Sequence, residues 1–134
     1  MNKRIFICLF VFILIGCTDE VPNEFSLDQL TRIDVVEKNE VMIISEEKTL
    51  SIIREVFKEI KWNPNKEAKM TRKEDIKITL FYTFDPNMPE RLFEYKIWFH
   101  DDNTATILSQ NEKEGYGMVE KEKADILKDI FQKD

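Results

Sequence analysis

A single histidine and a few glycines restrict the chemistry open to this 134-residue chain. His100 is the only histidine, whereas a histidine-based zinc site usually needs two or three such ligands. A Ser-His-Asp triad would have to use His100, and no serine lies in a Gly-x-Ser-x-Gly turn. Gly16, Gly115 and Gly117 are too few for a phosphate-binding loop. We therefore predict no metal, no cofactor, no nucleotide and no catalytic residue.

Carboxylates are the one abundant source of chemistry, with 26 Asp and Glu residues in the chain. Two of them at glycosidase spacing would make a carboxylate-based hydrolase. Close pairs also arise by chance in so acidic a chain, so this stays the second alternative. Asp101-Asp102-Asn103 clusters oxygen ligands that suit Ca²⁺, but the same residues are typical of a hairpin turn. The segment lacks the Gly and the distant Glu of an EF-hand loop, so we favour the turn.

The N-terminal segment is typical of an export signal. Lys3 and Arg4 precede an unbroken apolar run from Ile5 to Ile15. As a helix this run would cover ~17 Å of a hydrocarbon core that is ~30 Å thick, too little for a stable span. A basic start, a short apolar core and small residues at its end indicate a secretory signal peptide.

The residues that end this segment resemble a known processing motif. Leu14-Ile15-Gly16-Cys17 resembles the lipobox of bacterial lipoproteins. The resemblance implies that a diacylglyceryl group is attached to Cys17 and that residues 1–16 are removed. Two acyl chains anchor a protein stably to a bilayer, whereas one binds only marginally. We therefore expect a lipoprotein at the outer face of the cytoplasmic membrane, with the lipid bilayer as a partner. Because Cys8 leaves with the leader, no internal disulfide is expected.

The mature chain is acidic. The leader contains two of the 20 basic residues and none of the acids, so the formal charge after cleavage is −8. This argues against nucleic-acid binding, which needs a basic surface. Residues 17–30 are polar and predict a tether, and residues 31–134 are enough for a single domain.

Hydrophobic periodicity predicts the elements of this domain. Period-two patterns indicate strands, and a 3.6-residue period indicates helices. Ser45 is the expected N-cap of the first helix, and Asn63-Pro64 its expected end. The predicted strands are 33–37, 41–44, 76–84, 92–100, 105–108 and an optional 116–119, and the predicted helices are 45–60 and 121–131. The order β-β-α-β-β-β-(β)-α predicts an α+β fold, an antiparallel sheet of about five strands with two helices packed on one face.

The arrangement of these elements resembles a known family. The helix followed by Ile60-Lys61-Trp62-Asn63-Pro64, and the stretches Phe81–Asp85 and Arg91–Tyr95, are similar to the YhfM-like domain family of lipoproteins from Gram-positive bacilli. The resemblance implies a small lipid-anchored domain and assigns no functional residue beyond Cys17.

Two surfaces are candidates for binding. We expect Tyr82 to pair with Phe93 and Ile78 with Ile97 on the core face, which leaves Phe81, Leu92, Trp98 and His100 on the outer face. Trp98 should be partly exposed unless the linker at 61–77 covers it. Within that linker, Lys66, Lys69, Arg72 and Lys73 form a candidate patch for anionic lipid or wall polymer, or else a solvated loop.

These observations favour a non-enzymatic binding module at the cell envelope, with a protein or an envelope polymer as its partner. The first alternative is an accessory sensor or inhibitor of another exported protein.

Overall fold

The structure, a computed structural model, describes residues 27–67 and 69–132. Cys17, the leader and most of the predicted tether lie outside these residues. A short 3₁₀ turn, Leu27–Gln29, precedes the first strand. The elements that follow are β1 (Leu30–Glu37), β2 (Glu40–Ile44), α1 (Glu47–Lys58), β3 (Lys61–Asn63), β4 (Ile76–Tyr82), β5 (Arg91–Phe99), β6 (Ala105–Ser109), β7 (Tyr116–Val119) and α2 (Lys121–Phe131).

The strands form one antiparallel sheet with the order β2-β1-β4-β5-β6-β7-β3. The predicted α+β class, with two helices over an antiparallel sheet, is confirmed. The sheet has seven strands among the described residues rather than about five. The optional strand at Tyr116–Val119 is present, and the additional strand is β3, which pairs with β7.

The first hairpin has the tight turn expected of it. Lys38 and Asn39 have φ angles of 48° and 66°, so both central residues are left-handed, as in a two-residue type I′ turn. Glu37 and Glu40 are therefore directly opposite each other across the hairpin.

The first helix starts and ends differently from the prediction. Glu46, not Ser45, is the N-cap, and its side chain makes no capping hydrogen bond. The helix ends at Lys58, before Asn63-Pro64, because the chain turns at once into β3. In that strand Trp62 is opposite Gly117, where a Cβ atom would lie only 2.7 Å from the indole ring. Because Gly117 has no side chain, the Trp62 indole can occupy this space.

The register between β4 and β5 also differs from the prediction. Leu80 is opposite Phe93 and Ile76 is opposite Ile97, a slip of two residues from the expected pairs. A slip of two keeps every side chain on its predicted face, so alternation alone does not distinguish the two registers. The Tyr82 and Phe93 rings still touch diagonally, with their centroids 5.5 Å apart.

The core lies between one face of the sheet and both helices. Phe57 of α1 is buried and meets the Tyr95 ring edge-on at 5.5 Å. No helix among the described residues is long and apolar enough to cross a bilayer. The helices contribute Leu50, Ile53, Val56, Phe57, Ala124, Leu127 and Phe131 to this core.

Candidate functional site

The outer face of the sheet, opposite the helices, divides into an open and a covered part. Strand alternation and the observed register bring side chains from four strands into one grid. We call this grid the open face. It consists of Val41 and Ile43 of β2, Arg32, Asp34 and Val36 of β1, Lys77, Thr79 and Phe81 of β4, and Leu92, Glu94 and Lys96 of β5.

One row of the open face combines a cation, an aromatic ring and an aliphatic side chain. Arg32 is opposite Phe81, and Phe81 is opposite Leu92. The Arg32 guanidinium lies 4.5 Å from the centre of the Phe81 ring. Leu92 is 54% exposed at the end of the row. Two of the four predicted binding residues, Phe81 and Leu92, thus share a row that solvent reaches.

Ion pairs hold the polar side chains of the open face. Arg32 donates two hydrogen bonds of 2.7 Å to the Asp34 carboxylate, which raise the pKa of the guanidinium. Lys77 is opposite Lys96, a like-charge pair, but its ammonium lies 2.8 Å from the Glu94 carboxylate. The hydrogen bond to Glu94 raises the pKa of Lys77. Arg32 and Lys77 are therefore each ion-paired with a carboxylate of the open face, while Val41, Ile43 and Leu92 at its edges stay exposed to solvent.

Trp98 belongs to the covered part of the outer face. It is only 3% exposed, and its Nε1 donates a 2.9 Å hydrogen bond to the main-chain oxygen of Arg72. The expectation of a partly exposed Trp98 is wrong, and the stated alternative, a linker folded over it, is what the structure shows. His100 lies beside it, half-buried, with Nε2 2.7 Å from the hydroxyl oxygen of Thr106. Neither residue joins Phe81 and Leu92.

The segment that covers Trp98 is held by a carboxylate. We call residues 64–67 and 69–75 the strap. Arg72 donates hydrogen bonds of 2.6 and 3.0 Å to Asp75 and one of 2.8 Å to the main-chain oxygen of Phe99. Asp75 in turn accepts a 2.7 Å bond from the Phe99 amide. Burial favours a higher Asp75 pKa, but these hydrogen bonds outweigh it and lower the pKa.

The four cations of the predicted anionic-partner patch have different surroundings. Arg72 is engaged by Asp75 and Phe99, as described. Lys66 places its ammonium 4.2 Å from the centre of the Tyr116 ring on the outer face. Lys69 and Lys73 are exposed. The strap therefore uses two of its cations to fix itself to the domain.

Two clefts of the structure could hold the pair of acids that a hydrolase needs. One, of about 290 Å³, lies where α1 ends and α2 begins and includes Glu59 and Glu120 in its lining. Glu59 is ion-paired with Lys123, and Glu120 with Lys61 at 3.6 Å. The other, of about 370 Å³, lies beside β2.

A buried acid that the sequence did not reveal lies elsewhere. Burial raises the pKa of Glu114, although hydrogen bonds from Ser109 (2.8 Å) and Tyr95 (2.9 Å) favour its charged form. Burial also raises the pKa of the Tyr95 phenol. Glu114 lines neither cleft. No periodicity marks an acid in a loop, so nothing in the sequence distinguished it from its neighbours.

The Asp101-Asp102-Asn103 segment forms the hairpin turn that we favoured. Asp102 accepts hydrogen bonds from the Thr104 amide (3.0 Å) and hydroxyl (2.6 Å), which lower its pKa, and Asn103 is left-handed with a φ of 66°. Within residues 27–67 and 69–132, no group of three or more His, Cys, Asp or Glu side chains is placed to hold a metal ion.

Comparison with known proteins gives a likeness of fold. The chain matches no family model and no curated protein. It is similar to a solved structure described as a thioesterase-like protein from Clostridium sporogenes ATCC 15579, with a TM-score of 0.55 and 21% identity. The match covers 78% of this chain and 96% of that one. At this identity the likeness shows a shared fold and does not carry an activity across.

Proposed function

We propose that this chain is a non-enzymatic binding module, held at the outer face of the cytoplasmic membrane by lipid on Cys17, and that its open face binds a protein. The observation that carries the proposal is the exposed row Arg32–Phe81–Leu92. Arginine and aromatic residues are enriched at protein interfaces, and the exposed Leu92 beside them adds apolar area that a partner can cover.

The shape of the open face favours a protein over a small molecule. Small-molecule sites are concave and enclose most of the ligand. The open face is a sheet surface, and neither described cleft includes Arg32, Phe81 or Leu92 in its lining. A protein surface can cover such a face, displace water from Leu92 and Phe81, and leave the ion pairs Arg32–Asp34 and Lys77–Glu94 intact.

The non-enzymatic part of the proposal rests on the position of the buried acid, since each cleft includes two carboxylates in its lining and neither includes Glu114. A hydrolase that uses two carboxylates needs both at one substrate-binding cleft. Glu114, the acid that burial perturbs toward its neutral form, is bonded to Tyr95 and Ser109 away from both clefts. The name thioesterase-like belongs to the structural neighbour, and no residue of this chain is assigned an activity by it.

The anchor is tested at Cys17. Replacing it in Cys17→Ala removes the thiol that the lipid would modify, so we expect the variant to leave the membrane fraction or to remain unprocessed. Mass spectrometry of the wild-type chain should find an acylated Cys17 at the mature N-terminus. A Cys17→Ala chain that stays as firmly membrane-bound as the wild type, with no acyl group on the wild-type cysteine, would refute the anchor.

The binding surface is tested by cross-linking in cells and then by affinity. A photo-reactive residue at position 92 should capture a specific protein, whereas the same residue at position 52 should not. Ile52 is the matched control, because it is 41% exposed but lies on α1, on the opposite side of the sheet. With the captured protein purified, Leu92→Ala should weaken binding ~10-fold and Ile52→Ala should change it little.

Three outcomes would change the proposal. Equal capture at positions 92 and 52 would remove the open face as the site. Capture of wall polymer instead of protein would assign the other class of partner. If the captured protein is an enzyme or receptor whose activity changes on binding, the module is an accessory sensor or inhibitor, the alternative raised from the sequence.

A further inference from the structure

The two edges of the sheet differ in how well they are protected against further strands. β3 has three residues and is followed by Pro64, which cannot donate to a ladder. β2 has five residues, Glu40–Ile44, with no proline and no charge between Glu40 and Glu46. Its Val41 and Ile43 are 63% and 59% exposed. An edge of this kind is a template for pairing with another strand.

The hairpin determines which backbone groups of β2 point outward. In a two-residue hairpin the flanking residues, here Glu37 and Glu40, exchange both main-chain hydrogen bonds. Alternation then directs the main chain of Glu40, Met42 and Ile44 toward β1. The N–H and C=O groups of Val41 and Ile43 therefore point away from the sheet, beyond which the structure describes no further strand.

We propose that β2 pairs antiparallel with β2 of a second copy of this chain, across a two-fold axis that passes beside Met42. In an antiparallel ladder, outward-pointing residues must be directly opposite each other. Val41 of one copy is then opposite Ile43 of the other, and the reverse, which makes two hydrogen-bonded apolar pairs on the outer face. Met42 is opposite Met42 in the intervening pair.

The charges that flank β2 favour this register. Within β2 the same pairing sets Glu40 of each copy opposite Ile44 of the other, so the two Glu40 carboxylates lie at opposite ends of the paired strands. A parallel, in-register pairing would instead set Glu40 beside Glu40 and Glu46 beside Glu46. Like charges directly opposite each other destabilise a sheet, so antiparallel pairing of two copies is the complementary arrangement.

The core-face side of β2 has room for the second copy. The cleft of about 370 Å³ beside this strand is lined by Met42, Ile44, Thr49 and Ile130 among others. In the proposed register, Met42 of the second copy projects on this side of the sheet, next to the cleft. A methionine side chain is flexible and fills irregular apolar gaps well. Self-pairing thus covers apolar surface on both sides of the edge.

Disulfide trapping in cells tests the register with the full chain. Opposite residues of a non-hydrogen-bonded pair have Cα atoms ~4.5 Å apart, within disulfide range, so Met42→Cys should form a cross-linked homodimer on mild oxidation. Ile44→Cys is the matched control. It is on the same strand and face, but in this register the two copies of position 44 are ~14 Å apart. We expect at least ~5-fold more dimer from Met42→Cys than from Ile44→Cys, given the narrow range of disulfide geometry.

A charge exchange tests the same pairing independently of cysteine. In the Met42→Cys background, Ile43→Lys or Val41→Glu alone should reduce the cross-linked dimer, because each places a charge opposite an aliphatic side chain. The double variant sets a carboxylate opposite an ammonium twice across the interface, so it should recover most of the dimer. These positions are exposed, so folding should be retained. A parent chain with Cys8→Ser reports any cross-link through Cys17.

Three results would overturn the proposal. They are equal dimer yields from Met42→Cys and Ile44→Cys, no recovery in the double variant, or cross-linking of Met42→Cys to a different protein. None of them bears on Leu92, so failure here is distinct from failure of the proposed protein-binding face.

Discussion

The two parts of the outer sheet face carry similar large apolar residues, and these residues differ greatly in exposure. Leu92 and Trp98 lie on the same strand and the same face, six residues apart, yet Leu92 is open to solvent and Trp98 is buried. The difference comes from the strap, whose Arg72 carbonyl accepts the indole N–H. On the open part, the polar side chains are instead held by two ion pairs, Arg32–Asp34 and Lys77–Glu94.

Whether an aromatic residue is buried and which face of the sheet it occupies are therefore separate properties. The face follows from strand alternation, which is local in sequence. Burial of Trp98 follows from the strap, a segment more than 20 residues away in the chain, whose Arg72 main-chain oxygen accepts the indole hydrogen bond. The covered part is consequently buried under the strap, whereas the open part is exposed and is the surface that we propose for binding.

Truncating one large residue in each part should give the largest difference in the free energy of unfolding. Trp98→Ala should lower the free energy of unfolding by about 3–5 kcal/mol, because it leaves a cavity under the strap. Leu92→Ala, an exposed position, should lower it by less than about 0.5 kcal/mol. Urea denaturation of both variants and the wild type measures the difference. Equal losses would mean that the strap does not make a core with the sheet.

The carboxylate that holds the strap should have the next largest effect. Asp75→Asn removes the charge that binds Arg72 and weakens the acceptor of the Phe99 amide, so we expect a loss of about 1–3 kcal/mol. Trp98 emission should shift to the red and become more accessible to acrylamide, with Trp62→Phe as the background. Asp34→Asn is the matched control, an ion-paired aspartate of the open face. It should leave the Trp98 emission unchanged.

Acid should loosen the strap in the same way. The hydrogen bonds of the folded state lower the pKa of Asp75, so the unfolded chain binds this proton more readily. The stabilisation from Asp75 is therefore present above its ordinary pKa and is lost as the pH falls through the lowered value. The stability difference between wild type and Asp75→Asn should shrink between about pH 6 and about pH 2. A difference that stays constant across this range would show that the carboxylate charge is not what holds the strap.

The smallest effect is expected on the open part. Arg32→Ala removes the ion pair with Asp34 and the contact with Phe81, but the side chain is 41% exposed. Exposed ion pairs contribute little, so the urea midpoint should fall less than in Asp75→Asn. Arg32→Lys keeps the charge but loses the planar group that lies over the ring. A fall as large as that of Asp75→Asn would make Arg32 a structural residue and weaken its proposed role in binding.

The sequence predicted those parts of the fold that depend on local periodicity. Alternation in 76–84 gave the strand and its faces, and helical spacing gave both helices. It did not predict β3, because three residues are too few to show a period-two alternation. It misplaced the register by two residues, because that slip conserves faces. It also misplaced the N-cap at Ser45, where the structure uses Glu46 without a side-chain bond.

The candidate site was predictable only in part, for a related reason. Phe81 and Leu92 follow from alternation alone. His100 is half-buried against the Thr106 hydroxyl. The burial of Trp98 depends on the main-chain oxygen of Arg72, which is 26 residues away in the chain. Every residue carries such an oxygen, so no residue type marks the acceptor. The sequence therefore allowed a linker folded over Trp98 as an alternative to an exposed Trp98, but it could not decide between the two.

Helix α1 sets a limit on the width of the sheet. It connects β2 at one edge to β3 at the other, so its path must cross all seven strands. Six inter-strand spacings of ~4.8 Å amount to ~29 Å. The 12 residues of α1 supply ~18 Å as a helix. The remaining ~11 Å falls to the four residues that flank it, of which Glu59 and Ile60 still bond to carbonyls of the last helical turn. The connection between the two edges therefore has little slack. We expect changes in chain length to be tolerated better in the strap or in the loop of residues 83–90 than in α1.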